Sequence, residues 1–184
     1  MELVEDTLET GLDAFLSRPL FCFLAQRSGS GPRLSPLWFL WEDGAVWNVA
    51  RLDGRSYPGR VREYPESALT VVDFDPGTGR VEHVGMRGEA TLLPYDHSRA
   101  DRLFEKYLGD DREAWPETFR GLDAESYRLI RFDPETVVAR DQSYPVPGSG
   151  FGAAGEGRLR LSFANSMGRL EVGLDRIEAG VAAY

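Results

Sequence analysis

Short runs of apolar residues, separated by turn-forming residues, dominate the first third of the chain. They predict strands at about residues 20–27, 33–41 and 45–51, because aromatic and β-branched residues bounded by Gly, Pro and Asp are typical of strands. The tripeptide Glu42-Asp43-Gly44 predicts a tight hairpin between the last two strands, since Asp-Gly tolerates the positive φ that such a turn requires.

Two stretches have helical spacing instead. A capping-box spacing at residues 6–9, and the apolar positions after it, predict a helix at about residues 7–17. A second helix is predicted around residues 100–108, with Asp96 as its N-cap and Gly109 after its last turn.

Further strands are predicted later in the chain, at about residues 68–74, 80–93, 127–132 and 136–140, the last two on either side of Asp133-Pro134. Five or six short antiparallel strands with few helices favour a mainly β (α+β) fold closed into a small barrel, because closure removes exposed strand edges. The regular strand–helix alternation that predicts a parallel sheet does not occur.

The pattern changes near residue 143. Residues 143–157 combine prolines and glycines in the manner of a flexible linker. Residues 1–142 are therefore predicted to form one domain, and residues 158–184 a strand–helix extension of unknown role.

Composition narrows the classes of function. The 184-residue chain has a formal net charge of −9, which argues against nonspecific nucleic-acid binding because that requires basic surface. No apolar run approaches the ~20 residues of a membrane span, and the acidic N-terminal segment lacks the order of a signal peptide. We therefore expect no membrane association and a cytoplasmic location. Cys22, the single cysteine, lies in an apolar strand and is expected to be an inert core thiol.

The connection after the third predicted strand is rich in groups that bind anions, namely Arg51, Arg55, Ser56 and Arg60. Guanidinium and hydroxyl donors suit a phosphate group. Pro36 lacks a ladder donor and so marks an edge, a bulge or a strand end, where backbone groups can meet a ligand, and Trp38 or Trp41 can line a ring. A flat ring joined to a phosphate fits both features, and flavin mononucleotide (FMN) is such a ligand. The alternatives are a proline that only begins a strand and arginines that form a solvated loop.

The chain shows no pattern of hydrolytic or metal chemistry. Neither His83 nor His97 has partners at the spacing of a metal site, and no serine lies in a nucleophile elbow. No catalytic residue and no metal ligand is therefore assigned. Hydride chemistry requires neither, because a flavin carries the reaction and the protein orients it.

Several segments together make residues 13–141 similar to the pyridoxamine 5′-phosphate oxidase-like split-barrel proteins, namely DAFLSRPLFCFLAQ, RLSPLWFLWEDGAVWNV, RVREYPESALTVVDFD, VGMRGEATLLP and YRLIRFDPETVVARD. The resemblance implies a six-stranded antiparallel split β-barrel with a few flanking helices. It also implies a homodimer with a cofactor in the cleft between subunits. That cofactor would be FMN, or alternatively the deazaflavin coenzyme or haem.

The resemblance also implies positions for the site residues. The strand that faces the ring holds Arg33, Ser35, Pro36 and Leu37, followed by Trp38; the strand below the cofactor holds Asn48, Val49, Ala50 and Arg51; and Arg55, Ser56 and Arg60 approach the phosphate. The expected function is an FMN- or deazaflavin-dependent oxidoreductase of a small substrate. Tyr57-Pro58-Gly59 stands where many family members have a basic residue, so a module that binds flavin or haem without turnover stays open as the alternative.

The tail has a likeness of its own. Residues 151–180, with GEGRLRLSFANSMGRLEVGLDRIEAG, resemble the last segment of fold-type-I aminotransferases, in which an arginine at the position of Arg160 binds the substrate carboxylate. The only lysine, Lys106, falls in the helix predicted around residues 100–108, so no Schiff-base chemistry is expected.

Overall fold

The computed structural model describes residues 1–52 and 57–142, together with 146–147, 159–160 and seven positions between 171 and 182. Two compact units are distinguished: Met1–Val72 with Val84–Arg140, and Asp73–His83 with Asp141–Tyr184. The candidate site lies in the first unit. No helix in the described part of the chain has the length and apolar content that crossing a membrane requires.

The elements follow one another along the chain as β1 Glu2–Asp6, α1 Leu12–Ser17, β2 Cys22–Gln26, β3 Arg33–Leu37, β4 Leu40–Glu42, β5 Ala45–Arg51, α2 Tyr57–Glu63, β6 Glu66–Asp75, β7 Arg80–Pro94, α3 His97–Leu108, two 3₁₀ turns at Arg112–Ala114 and Glu117–Phe119, β8 Tyr127–Asp141, β9 Val146–Pro147 and β10 Leu159–Arg160.

Strands β1 to β8 form one sheet. Its order is β3-β2-β6-β7-β8-β5-β4, and β1 lies parallel to β8 beside this path. β2 is antiparallel to β3 and β6, and β5 is antiparallel to β4 and β8. The predicted mainly β architecture with few flanking helices is confirmed, with eight strands in the described sheet instead of six and one of them parallel. The predicted linker and extension lie outside the described residues, apart from the paired strands β9 and β10 and scattered helical positions.

The N-terminal segment differs from the prediction. A strand, β1, occupies Glu2–Asp6, and the helix begins at Leu12 instead of residue 7. The Asp6 carboxylate accepts from the Leu8 amide at 3.0 Å, so it closes a turn and does not cap the helix. The side chains of β1 are mostly exposed, so no apolar alternation indicated this strand; its pairing with β8 defines it.

Two predicted strand boundaries are also wrong. The strand expected at 33–41 is divided into β3 and β4 at Trp38 and Phe39. Conversely, the strands expected on either side of Asp133-Pro134 are the single strand β8. β5 pairs with residues 127–132 of β8 and β1 with residues 136–139, so Pro134 falls between two partners. Its missing N–H therefore costs no ladder bond to either of them.

The predicted hairpin turn after β4 and the predicted caps of the second predicted helix, α3, are confirmed. Asp43 and Gly44, between β4 and β5, have φ values of 56° and 69°, as a two-residue hairpin with the favoured twist requires. The Asp96 carboxylate accepts from the Arg99 amide at 2.8 Å and caps α3. Gly109 follows the end of α3 with a φ of 87°.

An ion-pair network fastens α3 to the hairpin of β4 and β5. The Glu42 carboxylate accepts from Arg99 Nε at 2.8 Å and from Arg102 Nε and Nη2 at 2.8 and 2.9 Å. These bonds, that of Arg102 foremost, lower the pKa of Glu42. The Arg99 guanidinium also lies 3.7 Å from the centre of the Trp47 ring, so the network continues into the core.

Replacing Glu42 by glutamine should lower the free energy of unfolding by about 1 kcal/mol at neutral pH, because partly exposed charged hydrogen bonds contribute modestly even in a network. The folded-state pKa of Glu42 is depressed, so this contribution is present above its ordinary value of 4.5 and is lost as the pH falls through the folded-state pKa. Urea unfolding of both proteins at neutral and at acidic pH measures the difference, which should shrink in acid. A difference that is the same at both pH values would contradict the assignment; Glu89→Gln, at an exposed position of β7, is the control.

Candidate functional site

Helix α2 packs beside the ends of β2 and β3 and brings Arg60 to residues of both strands. Arg60 donates from Nη2 to Ser35 Oγ at 3.2 Å and from Nε to Gln26 Oε1 at 3.3 Å. Gln26 is buried, and its Nε2 donates to the Tyr57 carbonyl at 3.4 Å, which holds the first turn of α2 against β2. The guanidinium of Arg60 is thus held at a defined place on the edge of the sheet.

The register of β2 and β3 explains why these side chains meet. Gln26 pairs with Arg33 and Leu24 pairs with Ser35, and directly opposed residues project from the same face of a sheet. Pro36, one position further along, lies on the other face of β3, which is the edge strand of the described sheet. Of the three positions predicted for Pro36, an edge, a bulge or a strand end, the structure shows an edge strand, with Pro36 one residue before its end.

The pKa of Arg60 is lowered by burial first and by the charge of Arg33 second. Arg33 itself donates to Ser30 Oγ at 2.8 Å and to the Pro32 carbonyl at 3.2 Å, both neutral acceptors. Two neighbouring guanidinium groups repel each other, and an anion bound between them would relieve this repulsion.

Of the remaining predicted phosphate contacts, the structure describes only Arg51. Arg51 is exposed at the end of β5, where it pairs with Tyr127 of β8. Arg55 and Ser56 lie outside the described residues. Within the described part of the arginine-rich connection, Arg60 contacts both β2 and β3, and the Tyr57 carbonyl contacts β2.

The three predicted residues in the middle of β5 lie mostly in the interior. Asn48 and Ala50 are buried, and Val49 is half-buried with its carbonyl accepting from the Tyr57 hydroxyl at 3.4 Å. Asn48 Nδ2 donates to the Trp38 carbonyl at 2.8 Å and to Cys22 Sγ at 3.4 Å, while its Oδ1 meets no donor within the described residues. Asn48 thus contacts the residue that follows β3, and Val49 contacts Tyr57 at the start of α2.

Trp38, which was predicted to line a ring, makes aromatic contacts within the chain. Its ring stacks on Tyr107 with centroids 4.6 Å apart and planes 3° apart, and on Phe119 at 5.4 Å. It therefore belongs to an apolar cluster under α3. Leu37, by contrast, pairs with Cys22 and packs against the barrel core. Cys22 is fully buried, which raises its pKa to about 12, as its expected role as a core thiol requires.

Two residues of the site were not singled out from the sequence. Gln26 and Tyr57 link α2 to β2, and only Gln26 left a signal, as a polar residue at an interior-facing position of the alternating strand CFLAQ. Tyr57 was noticed only as a departure from a pattern. Its backbone carbonyl makes the contact, and a backbone contact leaves no trace in residue type.

A hollow of about 660 Å³ borders the end of β2 and the turn after it. Small residues, including Ala25, Ala68 and Gly88, leave this space. The charged residues around it are Arg27, Arg87, Glu66, Glu89 and Glu135. Gln26 belongs both to this hollow and to the contacts of Arg60. A small molecule of mixed polarity would fit in the hollow.

Similarity to solved structures identifies the fold. A conserved hypothetical protein of Mycobacterium tuberculosis aligns with a TM-score of 0.61 and 16% identity, over 77% of this chain and 89% of that one. A putative pyridoxamine 5′-phosphate oxidase of Listeria innocua aligns with a TM-score of 0.52 and 21% identity, over 70% of this chain and 92% of that one. The chain therefore has the split-barrel fold of pyridoxamine 5′-phosphate oxidase-like proteins.

Proteins with this fold differ in their ligands. An F420 reductase aligns with a TM-score of 0.51 and 23% identity, over 71% of this chain and 98% of that one. A haem storage protein of Vibrio cholerae aligns with a TM-score of 0.54 and 14% identity, over 70% of this chain and 90% of that one. The fold therefore does not identify the ligand, which depends on the residues of the site.

Sequence comparison adds one short match. A probable N-acetyl-LL-diaminopimelate aminotransferase of Bacillus subtilis is 46% identical over 54 residues, which are 29% of this chain. The chain spans only 14% of the length of that protein, so the similarity concerns a fragment of an aminotransferase. No family model matches the sequence.

Proposed function

We propose that this protein binds flavin mononucleotide, with the phosphate on Arg33 and Arg60, and acts as a flavin-dependent oxidoreductase on a small molecule. The observation that carries the proposal is the Arg60 guanidinium bonded to Ser35 and Gln26, with Arg33 opposite Gln26 on the same face of the sheet. This donor set fits a phosphate, which accepts charge-assisted bonds from guanidinium forks. Arg55 and Ser56 are proposed as further donors on the strength of the sequence pattern.

The residues named here would bind and orient the cofactor. Arg33 and Ser35 project from the same face of β3. Together they would hold the phosphate at this face, and the flavin ring would lie along β3. When bound, a flavin supplies the hydride chemistry itself. We propose the hollow beside Gln26 as the place of the small substrate, because it has room for one and because Gln26, one of its lining residues, accepts from Arg60.

Ligand titration tests this function. The purified protein should bind FMN at least roughly 10-fold more tightly than riboflavin, because only FMN carries the anionic group that charged donors recognise, at about 1.5 kcal/mol or more per bond. Fluorescence quenching of the two flavins measures both affinities, and coenzyme F420 and haemin are titrated in the same way. Equal affinity for riboflavin and FMN, or tight binding of haemin alone, would overturn the proposal.

Turnover separates the enzyme from a carrier. We expect a nicotinamide donor to bleach the bound flavin and an added acceptor to restore its absorbance. A bound flavin that no nicotinamide donor reduces would favour the alternative of a protein that binds the ring without turnover.

We propose in addition that the protein is a homodimer. The outer face of β2 and β3 and the adjoining residues expose Phe21, Leu34 and Val72, with 51%, 61% and 41% of their surface accessible. Pro36 and Phe23 pair on this same face. An apolar patch of this kind on a soluble protein is typical of an interface.

Replacing Leu34 by glutamate should therefore shift the protein toward the monomer, because the substitution places a charge in a desolvated contact. Sedimentation velocity at several concentrations measures the change. Val4→Glu is the matched control, since Val4 is equally exposed but lies on β1. A wild-type protein that sediments as a monomer at all concentrations would contradict the dimer.

A further inference from the structure

The break between β3 and β4 has an unusual set of hydrogen-bond partners. Trp38 and Phe39 leave the ladder there, and their backbone groups bond to side chains of other elements. The Trp38 carbonyl accepts from Asn48 Nδ2 at 2.8 Å, the Phe39 amide donates to the Tyr107 hydroxyl at 3.0 Å, and the Phe39 carbonyl accepts from Lys106 Nζ at 3.0 Å. Three side chains from β5 and α3 thus replace the bonds that a continuous strand would have made.

Lys106 joins this break to the end of α1. Its Nζ also donates to the Leu16 carbonyl at 2.8 Å and lies 3.5 Å from the centre of the Phe39 ring. It is the only lysine in a chain that has twenty arginines. A compact ammonium can approach two carbonyls and a ring face together, whereas a planar guanidinium cannot take the same place.

Tyr107 joins the break to the start of β2. Its hydroxyl accepts from the Phe39 amide and donates to the Leu20 carbonyl at 2.6 Å, and its ring carries the stacked Trp38. The hydroxyl is thus satisfied in both directions. Burial raises the pKa of Tyr107 and lowers that of Lys106 to about 8, which places both groups in a poorly hydrated region where unmade hydrogen bonds are costly.

The position of these bonds matters because β3 is an edge strand. β2 pairs with β3 on one side, and on the other side no strand of the described sheet pairs with it. One end of β3 is held by the turn after β2. At the other end β3 finishes at Leu37, and the side-chain bonds are made to the next two residues, Trp38 and Phe39.

We propose that Asn48, Lys106 and Tyr107 form a clamp that fixes the end of β3 and so positions Arg33 and Ser35 against Arg60. The three are positioning residues: they act on the site through the backbone of β3. The clamp explains why a buried asparagine and a half-buried lysine stand where apolar residues would pack more cheaply. Its effect on ligand binding rests on the proposed function, whereas its effect on β3 does not.

Hydrogen exchange of the ligand-free protein tests the clamp directly. Tyr107→Phe keeps the ring stack and removes both bonds of the hydroxyl. The protected amides among residues 33–39, of which Pro36 has none, should therefore exchange at least roughly 10-fold faster, as expected when about 1.4 kcal/mol of local stability is lost. The amides of residues 127–132 in β8 should keep their rates. Tyr95→Phe is the matched control, because Tyr95 is half-buried and its ring contacts do not involve the hydroxyl. Unchanged exchange at 33–39, or equal acceleration throughout the sheet, would overturn the clamp.

Two lysine variants and a ligand titration complete the test. Lys106→Met and Lys106→Arg should both accelerate exchange at residues 33–39; a Lys106→Arg protein that exchanges like the wild type would overturn the specific assignment to a compact ammonium. FMN affinity should fall about 10-fold in Tyr107→Phe and stay unchanged in Tyr95→Phe. If the wild type binds no FMN, the proposed function fails while the exchange data still decide the clamp; if FMN affinity is unchanged although β3 exchanges faster, the positioning of Arg33 and Ser35 is wrong.

Discussion

Replacing Arg33 and Arg60 together by glutamine should weaken FMN binding at least roughly 100-fold, since a hydrogen bond to a charged group contributes about 1.5–3 kcal/mol and two are removed. Riboflavin, which lacks the phosphate, should bind the variant and the wild type about equally. Glutamine removes the positive charge at both positions and keeps an uncharged amide donor on a shorter side chain. Equilibrium titration by flavin fluorescence, at two salt concentrations, measures both affinities.

A control variant distinguishes direct contact between the arginines and the phosphate from the effect of the net positive charge of α2. Arg62→Gln removes a guanidinium from the same helix at an exposed position, and its FMN affinity should remain within about 2-fold of the wild type. The affinity lost in the double variant should exceed that of either single variant, because both arginines contact one anion. If Arg62→Gln weakened FMN as much as the double variant, the helix would attract the ligand only by its net charge, and the site would have to be placed elsewhere.

Elements that depend on local patterns were predictable from the sequence. The hairpin at Asp43-Gly44 and the capped helix at Asp96 have short-range causes, a positive φ and an N-cap bond, and both occur as predicted. The arginine-rich connection was recognisable by composition, and Arg60 does meet Ser35 on the predicted strand. The pattern could not show which arginines lie together in the fold. Arg51 and Arg60 belong to one stretch of sequence, but Arg51 ends β5 and Arg60 lies in α2.

The features that were missed have long-range causes. β1 has no apolar alternation and exists through its pairing with β8. The break at Trp38 and Phe39 depends on Lys106 and Tyr107, 67 and 68 residues away from Phe39 in the chain. The ring of Trp38 stacks on Tyr107 of α3 and on Phe119, contacts that the strand pattern around Trp38 does not indicate. The spacing of apolar residues predicts which face of a strand or helix a residue occupies. It does not predict which other element packs against that face.

Gly88 provides the second large effect, and it too could be recognised only from the fold. A Cβ at this position of β7 would lie 2.0 Å from the Asp133 carbonyl oxygen and 2.9 Å from Pro134 Cα. Both are backbone atoms of β8, so no side-chain rotation relieves the overlap. Gly88→Ala should therefore push the two strands apart and lower the free energy of unfolding by about 3 kcal/mol or more, at the upper end of what overpacking costs.

Gly85→Ala is a close control for this prediction. Gly85 lies on the same strand three residues earlier, and a Cβ there meets no atom within 4 Å. Its replacement should change the stability by less than about 0.5 kcal/mol or raise it slightly, because alanine restricts the unfolded chain more than glycine does. Urea unfolding of both variants gives the comparison. Similar stability of the two variants would mean that β7 and β8 do not approach each other at Asp133-Pro134, and the continuity of β8 through Pro134 would then have to be abandoned.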